Sequence, residues 1–357
     1  MNNIKMENQN RIIYLDLLRI FATFAVVMIH ISASNWDFGE VSDFQWITFT
    51  IYDVLVQFAV PVFLMISGVV FLNPKKKIET KKIYTKYIFR LGVAYTFWSI
   101  VYNTYRFIVQ YINEGSYMTA KEIVRGLIRA NYHMTFILVI AGIYIIVPML
   151  RKIVEDRKLM KYFLICSFLF VNIPYLLPII PKYITTELYI IFQEMHLGFL
   201  GGFVAYFVLG YYLNNVEVSK KSRYCIYVLM VLSRVFTVMV THTLSMEDGV
   251  ANTEWLGYLL PTTYIAVCGV FLFFKYELSR IKFSDKMIKV IMHLSKMSFG
   301  IYLVHVIVIS IIVENGISTL YFNPILSVPV ISLLVMLISY LVVLIISKIP
   351  VLNKYII

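Results

Sequence analysis

Charge is scarce in this chain of 357 residues: Asp, Glu, Lys and Arg together make up 15%, against about 25% in soluble domains. A globular protein in water would run short of polar residues to cover its surface, so a soluble fold is excluded. Cysteine is scarcer still. Cys166, Cys225 and Cys268 each lie within an apolar run, and three such residues make neither a disulfide framework nor a metal cluster. Also missing are a glycine-rich phosphate loop, an H-E-x-x-H pair, a G-x-S-x-G nucleophile elbow and any histidine–carboxylate set with zinc spacing. No metal site is expected. Neither an internal repeat nor a long linker divides the chain, which reads as one domain over residues 1–357.

What the chain has is apolar length. Hydrophobic residues make up 60% and aromatics 16%, with a mean hydropathy of +0.78, which excludes disorder. Ten apolar runs lie near 12–33, 45–72, 87–112, 134–150, 162–181, 196–213, 224–244, 255–274, 295–316 and 325–347. Each has roughly the 17–25 residues that a bilayer core demands. None shows the alternation of a barrel strand, so the backbone must be satisfied within helices. The expectation is an all-α polytopic bundle of about ten transmembrane helices. Asp16 and Arg19 interrupt the first run and no small-x-small cleavage site follows it, so it is retained and not removed as a signal peptide.

The net charge of +12 does not point to nucleic acid, because the basic residues fall in short clusters between apolar runs. With the N-terminus inside, 24 of the 32 basic residues lie in cytoplasmic connections or termini, among them Lys5, Arg11, Lys75–Lys77, Arg151 and Lys282. The outer connections hold only Lys121, Arg125, Arg129 and Lys182, and are instead acidic at Asp37, Glu40, Asp43, Glu247, Asp248 and Glu254. The positive-inside rule therefore places both termini in the cytoplasm. Residues 118–130 are amphipathic and read as an interfacial helix on the outer leaflet. The segment GGFVAYFVLG at 201–210 has small residues suited to close helix contact.

Charges in hydrocarbon cost at least about 2.5–3.5 kcal/mol each on insertion scales. The first run carries the richest set: Asp16, Arg19, Thr23 and His30 are spaced by 3, 4 and 7 residues. At about 100° per residue they share an arc of roughly 60° on a helix otherwise apolar and fit for lipid. Arg19 lies in the cytoplasmic half and His30 about 16 Å further along. A fixed cation can hold an anion at one end while an imidazole exchanges protons at the other; the structural alternative is an Asp16–Arg19 pair with His30 bonding a neighbouring helix. Lys86 and Arg90 open the third run, His133 heads the fourth, and Glu194 and His196 head the sixth. Ser298, Tyr302 and His305 share one face of the ninth. Asp53, on one face with Gln57, is a candidate to orient a histidine.

These features together resemble the acyltransferase 3 family of integral membrane acyltransferases, over essentially the whole chain. The resemblance rests on Arg19 and His30 within YLDLLRIFATFAVVMIH, on VPVFLMISGVVFL with Pro61, Ser67 and Gly68, and on KYIFRLGVAYTFWS. It continues in HMTFILVIAGIYIIVPMLRKI at 133–153 and in SFGIYLVHVIVI at 298–309. Two positions depart from the family's pattern: Tyr87 stands where a basic residue is common, and Thr135 where a tryptophan is common.

The resemblance implies transfer of an acyl group, often acetyl from acetyl-CoA, to a carbohydrate or other hydroxyl acceptor at a bacterial cell membrane. Acyl-CoA is then a donor substrate, and no cofactor is expected. A polyanionic donor headgroup suits Arg19, Arg90 and Lys86. His30 would take the acceptor's proton or be transiently acylated, Arg19 would anchor phosphate or steady charge at the thioester, and Asp16 would orient Arg19. His133, Glu194 and His196 are expected to line an acceptor pocket, and His305 to be either catalytic or supporting. The donor could also carry succinyl or a longer chain. Two non-enzymatic alternatives stay open: a carrier of a small amino acid or lipid-linked sugar, and a scaffold for polysaccharide assembly. The intramembrane Arg–His stripe argues against the scaffold.

Overall fold

The computed structural model describes residues 12–36, 40–179 and 182–357; Lys5, Arg11 and Asp37 lie outside them. All regular structure among the described residues is helical. In chain order the helices are α1 (Ile13–Ala33), α2 (Phe44–Val56), α3 (Ala59–Phe71), α4 (Phe89–Glu114), α5 (Ala120–Arg129), α6 (Thr135–Glu155) and α7 (Arg157–Ser167). They continue with α8 (Lys182–Glu194), α9 (Phe203–Asn215), α10 (Lys220–Asp248), α11 (Pro261–Tyr276), α12 (Asp285–Glu314), α13 (Pro324–Ile346) and α14 (Pro350–Tyr355). A π-helical stretch, Ile83–Ile88, runs into α4.

Seven helical runs among the described residues are long and apolar enough to cross a bilayer: α1, α2–α3, α5–α6, α7 with its extension to Leu177, α10, α12 and α13. The three other expected spans form helices too, but of different character. α4 has 26 residues and carries Asn103, Arg106 and several tyrosines. α9 has 13 residues and α11 has 16, short of the about 20 that a full crossing takes.

Local chemistry explains these shorter helices. The run expected over 196–213 is interrupted at Gly201–Gly202, where Gly202 has φ +65°, and α9 starts only at Phe203. The run expected over 255–274 is irregular until Pro261, whose fixed φ and missing N–H suit the first helical position. Pro61 explains the interruption between α2 and α3. Its ring would meet the carbonyl of Gln57, four residues back, and the helix breaks at Gln57–Phe58. Arg234 of α10 reaches this break, its Nη1 donating to the Val54 carbonyl and to Gln57 Oε1 at 3.3 Å each. One intramembrane cation is thereby given a structural role.

α1 is the hub of the bundle and packs against α2, α3, α11, α12 and α13. Its apolar faces, fit for lipid by composition, are instead covered by these neighbours: Leu18 and Ala22 are fully buried, and Ala25 and Val27 nearly so. Small side chains are what let so many helices approach one axis. α3 and α9 meet still more closely. A Cβ added at Gly210 would collide with the Met65 backbone, and one at Gly68 with the Phe207 carbonyl. The small residues of 201–210 therefore serve packing, as expected. α5 carries a complete capping box: Thr119 Oγ1 accepts from the Glu122 N–H at 3.3 Å, and Glu122 accepts from the Thr119 N–H at 2.8 Å.

Candidate active site

Three histidines from three separate elements converge. His30 comes from the last turn of α1, His133 from the turn Tyr132–Met134 that leads into α6, and His305 from the second half of α12. Their ring centroids are 5.1 Å apart for His30–His305, 5.3 Å for His133–His305 and 6.5 Å for His30–His133. His305 is completely buried and His133 is 7% exposed, whereas His30 is half-buried.

Tyrosines hold the rings in place. Tyr132 Oη lies 3.4 Å from His30 Nδ1. The Tyr302 hydroxyl donates to the His133 carbonyl. Tyr102 packs edge-on to His133 at 5.1 Å and donates to the Leu303 carbonyl at 2.8 Å. No carboxylate is joined to these three rings by a hydrogen bond or ring contact among the described residues. The cluster is not one that could hold a metal ion there.

Beneath the histidines lies a cavity of about 750 Å³. One part of its wall is cationic, formed by Arg19, Arg90, Lys296 and Lys354; another is apolar, formed by Phe63, Phe136, Ile137 and Ile140. No Asp or Glu side chain is among the lining residues. Tyr302 joins the cavity to the histidines, since it lines the cavity and also packs edge-on to His133 at 5.6 Å and tilted against His305 at 6.0 Å.

Arg19 and Asp16 meet at a third residue. Ser295 Oγ of α12 donates to the Asp16 carboxylate at 2.5 Å and accepts from Arg19 Nη1 at 3.4 Å. Asp16 is 4% exposed and Ser295 2%, so this is a buried hydrogen-bonded chain, in which a carboxylate off the water phase keeps a donor. Arg90 opens onto the same cavity, its guanidinium 5.6 Å from the Phe299 ring centroid and donating to a main-chain oxygen of Ile357. Tyr144 lines the cavity with Ser67 and lies within electrostatic reach of both Arg19 and Arg90.

Of the residues singled out from sequence, Asp16, Arg19, His30, Arg90, His133 and His305 thus fall in one connected region. Others do not. Lys86 is exposed and absent from the cavity wall, where its neighbour Tyr87 stands instead. Glu194 and His196 are exposed, on or just after α8, whose contacts are to the flanking 3-10 segments. Asp53 makes no described contact with a histidine. It lies within electrostatic reach of Tyr258.

Sequence reasoning missed Ser295, Tyr132, Tyr144 and the cationic pair Lys296 and Lys354 as site residues. Lys296 had a visible signal, as a charge inside an apolar run. Tyr144 and Tyr132, two of 27 tyrosines, had none.

A family model described as an acyltransferase domain, Acyl_transf_3, matches residues 12–344. The chain belongs to the acyltransferase 3 family. With its apolar helical bundle it is a multi-pass membrane acyltransferase. No curated protein and no solved structure matches it.

Proposed function

We propose that this protein moves an acyl group, acetyl in the first instance, from cytoplasmic acyl-CoA to a hydroxyl of a cell-surface carbohydrate or its lipid-linked precursor. The observation that carries the reading is a cavity that joins a cationic wall to the histidine cluster through Tyr302. A CoA headgroup is a polyanion, and Arg19, Arg90, Lys296 and Lys354 offer it guanidinium and ammonium donors. The pantetheine arm is long and thin, suited to the apolar stretch between Phe63 and Ile140. Lys86, Glu194 and His196 are exposed and off this cavity wall, so the proposed site does not draw on them.

In the reaction His30, half-buried and nearest the accessible side of the cluster, takes the proton of the acceptor hydroxyl as that oxygen attacks the thioester carbonyl. The C–S bond breaks and the proton passes from His30 to the CoA thiolate. Arg19, held by Ser295 and Asp16, anchors donor charge. The lysines and arginines between apolar runs put the cationic wall on the cytoplasmic side, where CoA is made.

The test is release of CoA from labelled acetyl-CoA by the protein in nanodiscs, wild type against His30→Ala, with binding of acetyl-CoA measured on both. Turnover that depends on His30, with binding kept in the variant, is the expected result. A wild type that neither binds nor cleaves acetyl-CoA would overturn the reading in favour of a carrier.

A further inference from the structure

A histidine that acts as a base needs an acceptor for its second N–H once it is protonated, because an imidazolium carries two donors. In many such sites a carboxylate has that task. Here no carboxylate among the described residues touches the cluster; His30 has Tyr132, His133 and His305 beside it, and Tyr102 and Tyr302 pack against the other two rings. Tyr302 gives its proton to the His133 carbonyl and Tyr102 to the Leu303 carbonyl, and Tyr132 Oη, at a long 3.4 Å from His30 Nδ1, serves one of the two His30 nitrogens only. The other nitrogen has His133 and His305 beside it.

His305 is distinguished by a fixed tautomer. Its Nδ1 lies 2.6 Å from the Tyr302 carbonyl oxygen, and a carbonyl can only accept, so Nδ1 carries the proton. The lone pair of the neutral ring is therefore on Nε2. That atom is buried and has no hydrogen-bond partner. An unpartnered acceptor in a fully buried side chain calls for an explanation. The His30 ring supplies one, at 5.1 Å between centroids and 30° between planes. No bond joins the two rings in this structure; at that separation, a turn of the His30 ring that brings one nitrogen to face Nε2 would close the gap to about 3 Å, the span of an N–H···N bond. His133 shares the pattern less tightly: its Nδ1 faces Asn131 Oδ1 at 3.4 Å and its Nε2 is also buried without a partner, but its ring is further from His30, at 6.5 Å.

We propose that His305 is a positioning residue for the transfer, its Nε2 lone pair receiving the hydrogen bond of His30 when His30 holds the acceptor's proton. The assignment rests on the acyl-transfer reading above. His305 neither gains nor loses a proton in the cycle. The acceptor O–H breaks, the proton sits on His30 while the new C–O bond forms and the C–S bond breaks, and it leaves on the CoA sulfur. An imidazole in this place stays uncharged, which suits a site among apolar helices better than a buried carboxylate would. His305 then lies behind the base and not against the acceptor.

The test uses the full chain in nanodiscs with labelled acetyl-CoA as donor and water as acceptor. It compares wild type, His305→Leu and His305→Gln, with 15N-histidine spectra in which the His305 signal is assigned by its loss in His305→Gln. Expected are an Nδ1–H tautomer at His305 and, in His305→Leu, a kcat at least about tenfold lower with the KM for acetyl-CoA within about twofold of wild type. His305→Gln, whose amide oxygen can accept near the place of Nε2, should recover part of that loss.

An Nε2–H tautomer at His305, an unchanged kcat in His305→Leu, or a raised KM with kcat intact would each overturn the assignment. Should His305→Leu fail to bind acetyl-CoA and so prove misfolded, His305→Gln decides alone, and a kcat no better than that of His30→Ala sinks the proposal. A wild type that releases no CoA would show instead that the acyl-transfer reading had failed, and this assignment would fall with it.

Discussion

Replacing Ser295 by Ala separates two roles that meet in one hydroxyl. Ser295 Oγ gives a short bond of 2.5 Å to the buried Asp16 carboxylate and receives a long one of 3.4 Å from Arg19. Hydrogen bonds to charged groups contribute about 1.5–3 kcal/mol, and a buried acceptor that loses a donor costs in that range. Ser295 also lines the cavity, however, so a water can enter the space left by the hydroxyl and donate to Asp16 in its place. That pulls the expected loss of stability down to about 1–2 kcal/mol. The bond from Arg19 lies beyond the usual 2.7–3.2 Å range and should be worth little, so the apparent affinity for acetyl-CoA should change by less than about threefold, or roughly 0.6 kcal/mol. Reversible unfolding in mixed micelles gives the first quantity and titration of acetyl-CoA the second. A variant as stable as wild type would mean that Asp16 does not depend on Ser295. A loss of affinity as large as that of Arg19→Ala would mean that Ser295 acts through the donor, and would refute the ranking of the two bonds.

Three further outcomes are expected. Arg90→Ala should raise the KM for acetyl-CoA by about tenfold, in line with loss of a charge-assisted contact, while Lys86→Ala should leave it unchanged; equal effects would return Lys86 to the donor site. Gly210→Ala should destabilise the bundle by at least about 1–3 kcal/mol, since its Cβ meets the Met65 backbone with no side chain to give way; wild-type thermal stability would contradict the close approach of α3 and α9. Thr119→Ala should cost α5 about 1 kcal/mol through loss of the capping box, seen as faster hydrogen exchange over residues 120–123 with the rest of the bundle unaffected. Unaltered exchange there would mean that bilayer contact and not the cap holds the helix.

The helical bundle was legible because it rests on composition and run length, which are one-dimensional properties. So were Arg19 and His30, because a charge inside an apolar run stands out against the cost of placing it there. His133 and His305 were visible as polar residues at the ends or on the faces of runs, but their meeting with His30 was not: it depends on which face of α1 turns toward α12, and that is set by packing. Lys86 and Arg90 looked equivalent in sequence. Only the fold shows that the chain enters α4 through a π-helical stretch, with Tyr87 and Arg90 on the cavity wall and Lys86 off it. Glu194 and His196 looked well placed at the head of a run, yet that run is no continuous helix, and both are exposed.

By itself, the sequence determined the solvent this protein is built for, its helical class and its family, because hydrophobicity, run length and motif order need no third dimension. It also determined that α1 would carry a polar stripe, since 3.6-residue periodicity follows from backbone geometry alone. The tertiary structure decided what the stripe faces. Three imidazoles separated by 103 and 172 residues in the chain come within 6.5 Å only once α1, α12 and the turn into α6 are brought together. Distances of that kind are fixed by side-chain volume and helix crossing, summed over contacts that no local pattern records.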